Sequence, residues 1–263
     1  MKNNVIIGAG EIGHTISKIC NGLTFFHDPH LGVFATDEEG DNYHKDVVLH
    51  ICFPCKDQFL FTEIVEFYIN LFEPEAVFIH STVSVGTTDK IIEQNDKDLI
   101  ILYTPVRGRH ETLPDHVRKF VKYFGPVDCP LLANNEEVMR LPEVELIHEI
   151  FPFIKFSIVD NARDIEMAKI MSTSYLGWNL LFEKEMYKMC KENDLDFKFV
   201  YSEFNKSYND QCNDEVYPER FKRPIYDHVE GPIGGHCVIQ NLELDDNFIT
   251  KTMKDYFNGS KLN

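Results

Sequence analysis

Val5-Ile6-Ile7-Gly8-Ala9-Gly10-Glu11-Ile12-Gly13 decides the fold of this chain. Three β-branched apolar residues run straight into a G-x-G-x-x-G turn, and residues with helical spacing follow from Ile12. Each glycine has a mechanical reason. Gly8 permits a tight turn, Gly10 lets a diphosphate approach the backbone, and Gly13 lets the following helix sit close to the strand. Glu11, Ile12 and Gly13 would then present the first amides of that helix to the diphosphate. Asp28, at the end of the next apolar run and 20 residues after Gly8, offers a carboxylate to ribose hydroxyls and repels a 2′-phosphate. The pattern predicts a dinucleotide fold that takes NAD in preference to NADP.

Outward from that turn, apolar runs alternate with helical stretches. Strands are expected at Val5 to Ile7, Leu23 to Phe26, Asp46 to Ile51, Ala76 to His80 and Leu99 to Tyr103, and less distinctly at Phe120 to Phe124 and Phe153 to Ile158. Helices are expected at Ile12 to Asn21, Asp57 to Phe72, Thr87 to Asn95 and Pro142 to Ile150. Alternation of this kind implies a parallel sheet with helices on both faces. From about Asp164 to Asn193 there is no proline, a single glycine, and apolar side chains on most faces, which reads as one long helix whose burial calls for a second subunit. The stretch from 204 to 230 shows no clear period, and Asp246 to Phe257 reads as a last short helix. The expected architecture is therefore α/β: a Rossmann-type doubly wound parallel sheet over residues 1–160, then a long helix and a small, mainly helical domain over 161–263, homodimeric through the long helix.

Composition narrows the function. With 26 Lys and Arg against 43 Asp and Glu, the net charge of −17 repels a nucleic-acid backbone. No apolar run approaches the roughly 20 residues of a membrane span. The opening Met1-Lys2-Asn3-Asn4 enters a strand at once, leaving no room for a cleavable leader, so a cytoplasmic, soluble protein is expected. Seven scattered cysteines form no disulfide framework, and Cys52-x-x-Cys55 lacks a second Cys or His pair at metal-site spacing, so no metal is expected.

Near the far end stands Gly231-Pro232-Ile233-Gly234-Gly235-His236-Cys237, a thiol placed after glycines that allow close approach to a ligand. Cys237 is either a nucleophile or a small buried hydrophobe. Lys169, in the long helix, is either an acid-base group or a surface cation. A redox cofactor beside a thiol and an amine suits alcohol oxidation: a thiolate traps the first-formed aldehyde as a thiohemiacetal, which loses a second hydride to give a thioester. An ammonium nearby favours the thiolate and the oxyanion, Glu166 one helical turn before Lys169 could hold that ammonium, and His236 could also stabilise the thiolate.

Five stretches in order, namely the glycine turn with Asp28, His50-Ile51-Cys52-Phe53-Pro54, Ser81-Thr82-Val83-Ser84-Val85-Gly86-Thr87-Thr88, Glu166-Met167-Ala168-Lys169 and Gly234-Gly235-His236-Cys237, resemble the UDP-glucose/GDP-mannose dehydrogenase family of nucleotide-sugar dehydrogenases. The resemblance implies that Cys52, Phe53, Pro54, Ser81 and Thr82 line the nicotinamide side of the cofactor site. It also implies that Lys169 and Cys237 stand at the reacting carbon.

Departures from that family bear on the reaction. Asn241 replaces an acid four positions after the cysteine, Thr173 replaces an asparagine four after the lysine, and Val106 and His110 occupy positions of glutamates. A single two-electron step, with Lys169 as acid-base group and Thr82 or Asn241 orienting the hydroxyl, is chemically sufficient. Only 26 residues follow Cys237, where the family carries a further substrate-gripping domain. Either a second polypeptide supplies that domain or the substrate is a smaller anionic molecule, for which Arg107, Arg109, His110, Thr173 and the run Arg220 to Arg223 are candidate contacts. Two other readings stand beside this one: a 3-hydroxyacid dehydrogenase-like hydride transfer, and an NAD-binding protein without turnover.

Overall fold

A computed structural model of the chain describes residues 2–36, 46–96, 98–128, 135–214, 216–231, 233 and 236–260, with backbone alone at 135, 214, 236, 237 and 257–260. Cys129, Gly234 and Gly235 lie outside the described residues, as do the side chains of His236 and Cys237. The chain divides into two compact units, Met1–Ile170 and Met171–Asn263.

In the first unit, β1 (Asn3–Ile7) lies between β2 (Leu23–His27) and β3 (Val47–Ile51), and β4 (Ala76–Ile79) and β5 (Ile100–Tyr103) extend the sheet beyond β3. All four pairings are parallel, in the order β2-β1-β3-β4-β5. Because the chain leaves β1 toward one side and then crosses to the other, the strand ends at β1 and β3 frame the crevice where such sheets bind ligands. Strands β3 and β4 are buried along their whole length, which is why, apart from His50, they read as apolar runs without alternation. A second, two-stranded parallel sheet of β6 (Lys122–Phe124) and β7 (Phe156–Ile158) joins the first through an antiparallel bridge between Tyr103 and Gly125.

Helices α1 (Glu11–Ser17), α2 (Gln58–Phe72), α3 (Thr87–Gln94) and α6 (Pro142–Ile150) fall where periodicity places them, α1 stopping four residues short of Asn21. Helices α4 (Leu113–Lys119) and α5 (Asn135–Met139) were not expected; each is short, and α4 shows only two buried apolar positions, Leu113 and Val117. One core lies on one face of the sheet, where Ile6, Val48, Phe78 and Leu102 meet Ile16, Phe124, Ile147, Ile150 and Phe151. Burying a side chain of this size contributes about 2 kcal/mol each.

The long helix α7 is found at Ala162–Glu192, its first turns belonging to the first unit. The second unit continues with a π-helical turn at Lys198–Glu203, α8 (Phe204–Gln211), α9 (His236–Leu242) and α10 (Phe248–Ser260). Residues 204–230 are thus partly helical where no period was legible. Gly177, the single glycine of α7, has a clear purpose: a Cβ there would lie 2.3 Å from Met253 Cε and 2.8 Å from Val238 Cγ1. Val238, Leu242 and Met253 form a small core against Trp178. Burial of α7 is not complete within the chain, since Tyr175, Phe182 and Met189 are 64%, 58% and 50% exposed. Among the described residues no helix is long and apolar enough to cross a membrane.

Candidate dinucleotide site

The glycine turn has the geometry its sequence calls for. Gly8 takes φ +102°, and a Cβ there would lie 3.2 Å from the Cys52 carbonyl carbon and the Phe53 nitrogen, so the turn after β1 fits against the turn after β3 only without a side chain. At Gly13 a Cβ would fall 2.1 Å from the Gly8 oxygen, whereas at Gly10 it would meet nothing within 4 Å. That open space adjoins the start of α1, where no side chain caps the helix and its first amides are left for an acceptor from outside. Asp28 is half-buried, and its Oδ2 accepts from Ala9 N at 2.9 Å while Oδ1 has no hydrogen bond among the described residues. Glu11, in the first turn of α1, meets His110 Nδ1 at 2.5 Å, which places His110 beside the turn. An uncapped helix start, an open glycine and a fixed carboxylate with one oxygen unused are what a diphosphate and a ribose require.

The next strand ends supply the turns that the resemblance implicates. Cys52 N donates to Ile7 O, and Phe53 stacks against Phe61 at 4.8 Å between ring centres. Pro54 is exposed. Ser81 is buried, and its hydroxyl donates to Phe53 O at 2.6 Å and Ile51 O at 3.3 Å, latching the β4 turn to the β3 turn. Thr82 is half-buried and its hydroxyl has no partner among the described residues. Cys52 and Cys55 are free thiols, both buried, and burial pushes Cys55 up to about 11. No group of three or more metal-ligating side chains forms among the described residues.

Lys169 Nζ donates to Val106 O at 2.9 Å, in the turn after β5. Glu166 corrects the expectation that it holds Lys169. Fully buried, it accepts from Gly86 N at 2.6 Å, Thr88 N at 2.9 Å and Thr88 Oγ1 at 2.7 Å, and so caps the start of α3. The physical reason is that a helix start leaves amides unpaired and carries partial positive charge, which a carboxylate answers without a lysine. Desolvation still pushes the carboxyl up, against the pull of those three donors. Glu166→Ala leaves buried donors unpaired and is expected to cost about 3 kcal/mol in urea unfolding; a cost under about 1 kcal/mol would show that the cap is dispensable.

Of the candidate anion contacts, Arg107 donates to Val121 O at 2.6 Å and lies over the Tyr123 ring, while Arg109 is 80% exposed, with Glu111 at 4.0 Å. Arg220 and Arg223 are held over Tyr217 and Tyr208, so this run is engaged by its own loop. In the second unit Asn241 Nδ2 donates to Thr173 Oγ1 at 3.1 Å, which brings together two of the four positions that depart from the pattern of the resembled family. The second unit also carries Cys237, one residue into α9.

A line of buried polar groups beneath the strand ends was not foreseen. Asn4, His50, His80 and Lys122 are each at most 4% exposed. Asn4 Nδ2 donates to Asn21 O and Leu23 O, which turns Oδ1 toward His50 Nε2 at 3.0 Å. His50 Nε2 therefore carries the proton, and its Nδ1 accepts from His80 Nε2 at 3.0 Å. His80 Nδ1 is then left as an acceptor 3.1 Å from Thr104 O, itself an acceptor. Lys122 Nζ, 2.7 Å from Thr104 O and 3.5 Å from both His80 Nδ1 and Pro105 O, supplies the missing donor. Burial pushes His50 down to about 3 and Lys122 down to about 7. The signal in the sequence was the polar His50 and His80 inside apolar strand runs.

By sequence the chain matches no family profile and no curated protein. By structure it is similar to solved dehydrogenases. Mycobacterium tuberculosis 3-hydroxyisobutyrate dehydrogenase with L-serine aligns over 100% of this chain and 94% of its own length, with a TM-score of 0.60 and 13% identity. The NDP-N-acetyl-D-galactosaminuronic acid dehydrogenase from Methanosarcina mazei Go1 aligns over 97% of this chain and 65% of its own length, at 0.57 and 12%. Psf3 in complex with NADP+ and 2-OPP aligns over 97% and 93%, at 0.54 and 16%. At these identities the likeness establishes a common fold: an α/β, Rossmann-type unit followed by a long helix and a helical unit.

Proposed function

We propose that the chain is an NAD-dependent dehydrogenase that oxidises a CH–OH group of a small anionic molecule by a single hydride transfer. The observation that carries this is the glycine turn itself, with an open Gly10, an uncapped α1 and Asp28 fixed with one oxygen to spare. Gly8, Gly10, Glu11, Ile12, Gly13 and Asp28 would hold the adenosine and diphosphate, and the turns at Cys52–Pro54 and Ser81–Thr82 would face the nicotinamide. When bound there, the cofactor supplies the hydride acceptor. Lys169 takes the proton from the substrate hydroxyl, Thr82 orients that hydroxyl, and Arg107, Arg109 and His110 attract the anionic group. Residues 1–160 act as the cofactor domain and 161–263 as the helical domain.

The match of the whole chain to a hydroxyacid dehydrogenase agrees with a small hydroxyacid substrate. The engagement of Glu166 at α3 weighs the same way, since it removes one acid from the thiol scheme. The assay is NADH formation across 3-hydroxyacids and nucleotide sugars, with Cys237→Ser alongside. Activity on a hydroxyacid that survives this substitution supports the reading. Activity confined to nucleotide sugars and lost in Cys237→Ser would replace it with thiol chemistry involving Cys237, His236 and Asn241, and NAD binding without any turnover would leave only a binding protein.

Homodimerisation belongs to the same proposal. Tyr175, Asn179, Phe182, Met186 and Met189 recur at four- and three-residue steps along α7, a seam in which Tyr175, Phe182 and Met189 are exposed. Phe182→Glu should convert a dimer to a monomer in sedimentation; a wild-type monomer would refute the pairing.

A further inference from the structure

Lys122 is a buried cation with no carboxylate paired to it among the described residues. The titratable or charged groups that interact with it come from several elements: Cys20 just past α1, His50 of β3 and Cys52 at its end, His80 at the end of β4, Arg107 in the turn after β5, and Lys169 of α7. Burial keeps the two histidines neutral and the two thiols protonated, so none of these offers a counter-charge at neutral pH. Among the described residues the Lys122 ammonium is met by the Thr104 and Pro105 carbonyls, by His80 Nδ1 and by the Phe124 ring. Those groups stand at the strand ends beside the turns that, on the reading above, face the nicotinamide. Oxidised nicotinamide is a cation and reduced nicotinamide is neutral, so a fixed positive charge at this edge separates the two forms while acting alike on their common diphosphate.

We propose that Lys122 is a proton-controlled charge for the nicotinamide subsite: as an ammonium it favours the reduced over the oxidised cofactor, and the preference fades once it loses its proton. This rests on the dehydrogenase reading and adds a regulation to it. The change falls in the neutral range because burial brings Lys122 down to about 7. Low pH therefore favours NADH over NAD, by disfavouring the cationic ring, and high pH relaxes the preference. By linkage, NAD binding near pH 7 releases a fraction of a proton from Lys122 that NADH binding does not.

The test is calorimetric titration of NAD and of NADH into the full chain at pH 6.0 and 8.5, for wild type and Lys122→Met, with wild type at pH 7 also titrated in two buffers of different ionisation heat. The wild-type ratio of NADH to NAD affinity should fall on the order of tenfold from pH 6.0 to 8.5. In Lys122→Met the ratio should be flat. Release of more protons with NAD than with NADH, read from the two buffers, tests the same point in wild type should the variant not fold. Binding of both forms at a pH-independent ratio, or a pH dependence that persists in Lys122→Met, overturns the role of Lys122 and leaves the dehydrogenase reading standing. Binding of neither form overturns both.

Discussion

Gly13→Ala is expected to lose about 3 kcal/mol of stability and to weaken NAD binding at least 100-fold. The Cβ it adds would lie 2.1 Å from the Gly8 oxygen and 3.1 Å from Ile6 Cγ2. Neither neighbour can yield: one is backbone in a turn already held at φ +102°, the other a fully buried side chain. Helix α1 must move off the sheet, at a cost in the range of core overpacking or above. Gly10→Ala is the control, because its Cβ enters open space. That variant should keep its urea midpoint and still bind NAD about tenfold more weakly, since the methyl occupies the approach of the diphosphate. Equal affinity in wild type and Gly10→Ala would place the diphosphate elsewhere.

Lys169→Ala is expected to lower kcat about 1,000-fold with NAD affinity within about twofold of wild type. The magnitude is that of removing a positioned acid-base group. The amine is fixed by Val106 O, in the turn after β5, at the strand ends where the proposed function places the cofactor. Lys169→Arg should not restore turnover, because a guanidinium stays protonated and cannot accept the hydroxyl proton. Unchanged kcat in Lys169→Ala would remove this residue from the chemistry.

Much of the first unit was legible because parallel strands buried on both faces have a composition of their own. Val47–Ile51 and Ala76–Ile79 could hardly be anything else, and the glycine turn fixed where the sheet begins. The short helices α4 and α5 were missed because two turns or fewer give too little period to read. Glu166 was assigned to the wrong partner because sequence spacing shows only neighbours on its own helix, whereas Gly86 and Thr88 are about 80 residues away in the chain. Lys122 has no signal of its own in the sequence: it lies in the indistinct strand Phe120 to Phe124, and only the fold brings His80 and Thr104 to it.

Glu166 and Lys169 are three positions apart, so they project from α7 within about 60° of each other and reach two different loops from one face. That spacing makes the opening turn of α7 intolerant of insertions. One extra residue between them would swing Lys169 by about 100°, detaching the loop after β5 while the loop after β4 stayed moored. Natural variation in the length of this protein should therefore accumulate elsewhere, and chimeras that exchange the helical part should be joined beyond Lys169.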